Sequence, residues 1–359
     1  MPGKIKAQAA AMVAVIVVVF LFAGNGGSRA ESADGMKSET DLAVQLGAAV
    51  MGPETELPEL EEPASVQEQE VPPEEERPSD VIMLSPVLGN GEEEFLAAAP
   101  RAGLYHARTL SCIYAKNQNE RMCPASLTKI VTACTALQYV DPDEVLRVGT
   151  ELRYVNEGSS VCWLQRGQKL TMYDLLAGML LCSGNDAAYT VAVNAGRKAA
   201  GNAEMSDQEA LEYFYGLMNA FVERIGADNS HFVNPDGWDD DAQYTSVWDM
   251  AMITAYAMKV PEIREIAGEY SREIHFVSGQ SVTWKSTNSL MNPKSKYYHP
   301  QVIGLKTGST SRAGKCLISV IQMDGEEYIS VISGCEKDKE RFTTSLELIR
   351  FLEDELAAA

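Results

Sequence analysis

Residues 31-100 carry eighteen acidic residues against only Lys37 and Arg77, and eight prolines from Pro53 to Pro100. Runs such as "EEE" at 74-76 and 92-94 repel themselves. A segment of this kind cannot bury enough apolar surface to offset the entropy lost on ordering. Any packed core must therefore come from the residues beyond it. Residues 31-94 are read as an acidic, proline-rich stalk, with a reach on the order of 200 Å at roughly 3 Å per residue if polyproline-like. Residues 95-359 are read as one folded domain, a length that a single large core can serve.

Ahead of the stalk, Lys4 and Lys6 precede an apolar run from Ala9 to Gly24, with small residues Ser28 and Ala30 beyond it. The run is slightly short for a membrane span of about 20 residues. It is long for a signal core of roughly 7 to 15 residues. Residues 1-30 are therefore a signal peptide or an N-terminal membrane anchor, and the leading lysines place the chain after them outside the cytoplasm. Beyond residue 100 the chain carries 33 acidic and 25 basic residues, with no basic stripe, which excludes nucleic acid as a partner. Cys112, Cys123, Cys134, Cys162, Cys182, Cys316 and Cys335 are odd in number and match no zinc spacing. They imply no disulfide framework and leave one isolated bridge open. His106, His231, His275 and His299 form no HExxH-like pair, so neither metal nor cofactor is expected.

Hydrophobic periodicity orders the rest. Residues 102-117 read as two short strands joined by a turn, and a helix comes next over roughly 126-140. Thr171 with Asp174, Ser206 with Glu209, and Ser246 with Asp249 are capping signals for three further helices. Another helix runs through "DAAYTVAVNAG", Gly226 closes the one after Ser206, and Pro261 stops the one after Ser246. Then the period changes to that of strands in "EIHFVS", "SVTWKST", "VIGLKTG", "CLISVIQM" and "YISVIS", with Asp324-Gly325 as a hairpin turn. A helix over "ERFTTSLELIRFLEDEL" ends the chain. The order implies a mixed sheet with helices on both sides.

"CPASLTKIVTAC" places Ser126 and Lys129 one helical turn apart at the mouth of a helix. The bland reading is a capping serine and a solvated lysine. The chemical reading is a nucleophile beside its base, since a serine hydroxyl needs a partner to take its proton and no histidine stands in a comparable motif. Lys129 suits that role only if it is neutral, well below the ordinary lysine value of about 10.4, through burial and a nearby cation. Lys306 is the expected cation. Ser183-Gly184-Asn185, in a loop between helices, and Lys306-Thr307-Gly308, on a strand, come later in the same domain.

This triplet resembles that of penicillin-binding proteins and class A β-lactamases. "PASLTKIVTA", "LTMYDLLAGMLLCSGNDAA", "FVNPDGW" and "GLKTGSTSRAGKCLISV" are similar to the D-alanyl-D-alanine carboxypeptidases of peptidase family S11, over about residues 95-355. The resemblance implies an α/β fold of the serine β-lactamase/transpeptidase type, with a central antiparallel sheet flanked by helices and an all-helical subdomain. It implies removal of the terminal D-Ala from peptidoglycan pentapeptides through an acyl-enzyme on Ser126, which β-lactams would also acylate. Ser183 would then relay a proton to the leaving amine, and Asn185 would hold the substrate backbone and Lys129. Lys306 and Thr307, with Gly308, would take the terminal carboxylate. The N–H groups of Ser126 and Ser309 would form the oxyanion hole. Two departures stand out: the family often has His where Asp236 stands, and an acidic residue near Ser311. Both are expected to touch substrate details and not the catalytic centre. Many relatives carry a second, all-β domain and a C-terminal anchor, and since the sequence ends soon after the last helix, the resemblance leads to the expectation of an N-terminal anchor instead.

A class A β-lactamase would need a Glu in an E-x-x-L-N context, and Glu209, Glu212 and Glu223 lack it. A D,D-endopeptidase would use the same residues. A penicillin-sensing module would not require all three motifs intact.

Overall fold

The computed structural model describes Val87–Leu88 and residues 96-358. The N-terminal 1-30 segment and nearly all of the 31-94 stalk lie outside the described residues. Val87–Leu88 (β1) pairs in parallel with Cys112–Lys116 (β3). This pair lies within the 31-94 stretch that the sequence reads as stalk.

Six strands make the main sheet. Arg101–His106 (β2) lies between β3 and Glu326–Cys335 (β10), and Gly314–Met323 (β9) and Val302–Thr310 (β8) complete the order β1-β3-β2-β10-β9-β8. All pairs but β1–β3 are antiparallel. Asp324 and Gly325 join β9 to β10 with φ of 52° and 81°. Positive φ at both positions is what a two-residue turn matching the strand twist requires.

Both faces of this sheet are buried, because alternate residues feed different cores. Cys316, Ile318 and Val320 of β9 face one core, while Leu317, Ile321 and Met323 face the other. The second core is closed by Asp338–Ala358 (α7), whose Phe342, Leu348, Ile349 and Leu352 form one helical stripe. The first is covered by the helical region. Its centre is Thr128–Ala136 (α1), in which every residue is buried. A helix buried all round needs neighbours on every side. They are Met172–Leu180 (α2), Asn185–Ala199 (α3), Asp207–Arg224 (α4) and Val247–Ala257 (α5).

The capping signals act locally. Thr171 and Ser246 accept from the N–H of Asp174 and Asp249, and Ser206 with Glu209 closes a full capping box. Three features depart from the sequence reading. Pro261 does not merely stop a helix but occupies the first turn of another, Pro261–Ala267 (α6), where its missing N–H costs nothing. Ser271–His275 (β6) and Ser281–Lys285 (β7) form a separate hairpin, outside the main sheet. Val145–Arg147 (β4) pairs with Lys169–Thr171 (β5) as a second small ribbon, too short to show an alternation. Among the described residues no helix is long and apolar enough to cross a membrane.

Candidate active site

Ala125–Leu127 form a 3-10 turn that runs directly into α1, with no side-chain cap. Ser126 is therefore not a capping serine, and Lys129 is not solvated: its exposure is 0%. Its Nζ donates to Ser126 Oγ at 2.9 Å and to the backbone carbonyl of Asp236 at 2.6 Å. Loss of water lowers the Lys129 ammonium to about 8, against the upward pull of the Asp236 carboxylate. Of the two causes expected, burial leads at Lys129, and the repulsion between the two lysines is felt at Lys306. Lys306 is itself buried and pushed well below the ordinary lysine range, first by burial and then by the Lys129 cation.

The segment that reaches Lys129 is 234-238. Thr132, almost one turn after Lys129, donates to the Pro235 carbonyl at 2.7 Å. Gly237 lies so close to the Ala125–Ser126 peptide that a Cβ there would sit 1.7 Å from the Ala125 carbonyl oxygen and 2.9 Å from the Ser126 nitrogen. Its φ is +89°, so glycine alone fits. Ser126, Asn185, Asp236, Gly237, Trp238 and Ser309 line one cleft of about 260 Å³, with Gly158, Ser159 and Ser160 on a loop opposite.

The other motif residues gather beneath or beside this cleft. Ser183 is buried in the turn before α3, with φ of +62°, a conformation a non-glycine residue holds only when its surroundings impose it. Its hydroxyl forms no hydrogen bond to Ser126 or Lys129. Asn185 opens α3, and its backbone N–H donates to the Ser160 carbonyl at 2.8 Å. Lys306 Nζ donates to the Thr307 carbonyl at 2.9 Å. The Thr307 hydroxyl pairs with that of Thr287 at 2.5 Å. Gly308 packs on the Ala125 side chain, and its carbonyl accepts from Arg341 of α7 at 2.9 Å. Thr287 and Arg341 carried no signal in the sequence, since neither lies near a motif. Among the described residues no cluster of three or more His, Cys, Asp or Glu is arranged to hold a metal.

A profile of the family described as D-alanyl-D-alanine carboxypeptidase, Peptidase S11, matches residues 92-337. The chain belongs to this family. The S11 carboxypeptidases similar to it include DacF of Bacillus subtilis (strain 168), 29% identical over 266 residues, and DacA of Escherichia coli (strain K12), 33% identical over 246 residues. These alignments cover 73% and 65% of this chain but 64% and 55% of the relatives, so the chain spans less than two thirds of their length. Among solved structures, the DD-transpeptidase of Streptomyces K15 matches with a TM-score of 0.65 and 27% identity, over 71% of this chain and 96% of that one. The fold is that of the penicillin-binding proteins, as the resemblance implies.

Two S11-type expectations need correction. Asn185 does not bond Lys129: its amide nitrogen donates to Asp236 Oδ2 at 2.5 Å. Asp236 is therefore not confined to the substrate's surroundings. It meets Lys129 through its backbone and Asn185 through its side chain, at 1% exposure. At the second departure, Asp239 supplies an acidic group from another segment, accepting from the Ser311 hydroxyl and the Arg312 N–H, both at 3.2 Å.

The charge on Lys129 is sensitive to pH. Only a neutral Lys129 accepts a proton, so acylation of Ser126 should rise with pH through a midpoint near 8. Asp236→Asn removes the anion that raises Lys129, and the midpoint should move to lower pH. Penicillin acylation rates across the neutral and alkaline range read both effects. A midpoint unchanged in the variant would take the Asp236 carboxylate out of the electrostatics of the base.

Proposed function

We propose that this protein is a serine-type D-Ala-D-Ala carboxypeptidase that removes the terminal D-Ala from peptidoglycan pentapeptides. The observation that carries the reading is the fully buried Lys129 amine bonded to Ser126 Oγ. In the neutral state Lys129 takes the Ser126 proton as Oγ attacks the carbonyl of the penultimate D-Ala. The oxyanion is received by the N–H groups of Ser126 and Ser309. Collapse expels D-Ala, whose amine takes a proton relayed through Ser183. Water then releases the shortened peptide. A β-lactam acylates the same oxygen, but its leaving group stays tethered after the ring opens and obstructs that water.

The catalytic domain is assigned to residues 95-359, working outside the cytoplasm on the wall, with residues 1-30 as its export signal or membrane tether and 31-94 as its stalk. The Streptomyces relative, a DD-transpeptidase, favours a second reading in which an amine replaces water as acceptor. The test is release of D-Ala from a D-Ala-D-Ala peptide, with and without an added amine. Free D-Ala with an unmodified hydrolysed product supports the carboxypeptidase. Product joined to the amine at the expense of hydrolysis supports the transpeptidase.

Lys306 enters here as the group that recognises the terminal carboxylate. Lys306→Ala should slow release from the free-acid peptide by about a hundredfold, in line with about 2–3 kcal/mol for a charge-assisted bond, and should leave the C-terminal amide nearly unaffected. Equal losses on both substrates would assign Lys306 to scaffolding.

A further inference from the structure

All seven cysteines are thiols in the structure. Among the described residues one pair is in contact: Cys162 Sγ lies 3.0 Å from Cys182 Sγ. Both flank the second motif. Cys182 directly precedes Ser183, and its Sγ also donates to the Gly178 carbonyl at 3.1 Å. Cys162 lies on the same loop as Gly158, Ser159 and Ser160, which line the cleft. Its sulfur fills the space above the motif turn, where a Cβ on Gly184 would meet it at 2.1 Å.

The two sulfurs are held in register by bonds that do not depend on one between them. The N–H groups of Cys162 and Leu164 donate to the buried Asp186 carboxylate at 2.8 and 2.9 Å. The Asn185 N–H donates to the Ser160 carbonyl at 2.8 Å. Loop and turn are thus already docked, with two thiols facing each other at the seam.

We infer that Cys162 and Cys182 are an oxidisable pair that closes to a disulfide and staples the cleft-lining loop to the Ser183-Gly184-Asn185 turn. The inference rests on the extracytoplasmic placement proposed above, where disulfides persist, and not on the substrate. The oxidant is a disulfide, either a small-molecule one or that of a thiol oxidase. Cys182, partly exposed, is the entry point. The hydrogen bond from Cys162 favours its thiolate. That thiolate attacks one sulfur of the oxidant, whose own S–S bond breaks and releases a thiol. Cys162, losing its proton, then attacks Cys182 of the mixed disulfide and displaces the second thiol. The protein gives up two electrons and two protons, and the oxidant becomes two thiols.

The test uses the full chain equilibrated in a buffer of oxidised and reduced glutathione, with a parallel sample in dithiothreitol. Each is alkylated after denaturation, digested and weighed. The oxidised sample should yield a peptide joining residues 162 and 182, lighter by two hydrogens than its reduced parts. Its melting temperature should exceed that of the reduced sample by on the order of 5 °C, as expected for closing a loop of this length. Cys162→Ser and Cys182→Ser should each lose the joined peptide and the redox-dependent part of the melting temperature, while Cys112→Ser keeps both. Full alkylation of Cys162 and Cys182 after oxidation, or bridges from either to a third cysteine, overturns the inference. Penicillin labelling is read in the same samples. A protein that labels without bridging refutes the staple alone, and one that bridges without labelling refutes only the proposed function.

Discussion

Ser126→Ala should abolish covalent labelling by a fluorescent penicillin, with no band above background, while melting stays close to wild type. The Ser126 oxygen is the only atom the change removes, and its bond in the structure is the one it accepts from Lys129. Ser126 sits in a 3-10 turn with no capping duty, and alanine is at ease there. Lys129 keeps its other partner, the Asp236 carbonyl. An acyl-enzyme cannot form without the oxygen that carries it, so the expected loss is total rather than partial. Labelling that persisted, mapped by mass spectrometry to Ser183 or any other residue, would reassign the nucleophile.

Lys129→Arg should lower the acylation rate by about a thousandfold, within the range for a lost general base. Arginine keeps the charge but cannot shed it near neutral pH. Near-normal acylation in this variant would send the search for the base elsewhere. Lys129→Met separates chemistry from packing. It should be as inactive as the arginine variant yet more stable than wild type at pH 7. Moving the ammonium from its ordinary 10.5 to about 8 corresponds to about 3 kcal/mol of destabilisation. The folded state binds the proton less tightly than the unfolded one, so the penalty is full below about 8 and fades as pH rises towards 10.5. Thermal melts of wild type should accordingly rise relative to Lys129→Met over that interval. Parallel curves would mean that Lys129 is not held at this value.

What the sequence discloses is what local chemistry decides. Ser206 and Glu209 announce a helix start because the bonds they make lie within one turn. Ser126 and Lys129 announce a reaction because their spacing is one turn of the helix that carries them. That Lys129 must be buried is legible in the motif's chemistry, but what buries it is not, because α2 to α5 pack around α1 from distant parts of the chain. Thr287 and Arg341 stayed silent for a related reason. Each reaches a motif from a distant part of the chain, and nothing in their own neighbourhoods marks them. Pro261 misled because proline ends one helix and begins another with equal ease.

The pairing of β2 with β10 joins the first long strand of the domain to the last. Lys306 and Ser309 reach the cleft from β8, which hangs on β9 and so on β10. A chain emerging from its N-terminus therefore holds Ser126 and Lys129 long before it can hold the rest, and the 3-10 turn that carries Ser126 has no sheet to rest on until β8 and β9 arrive. Contacts of this reach form late and slowly. A fragment cut short at any point before β10 should therefore show no labelling by a fluorescent penicillin.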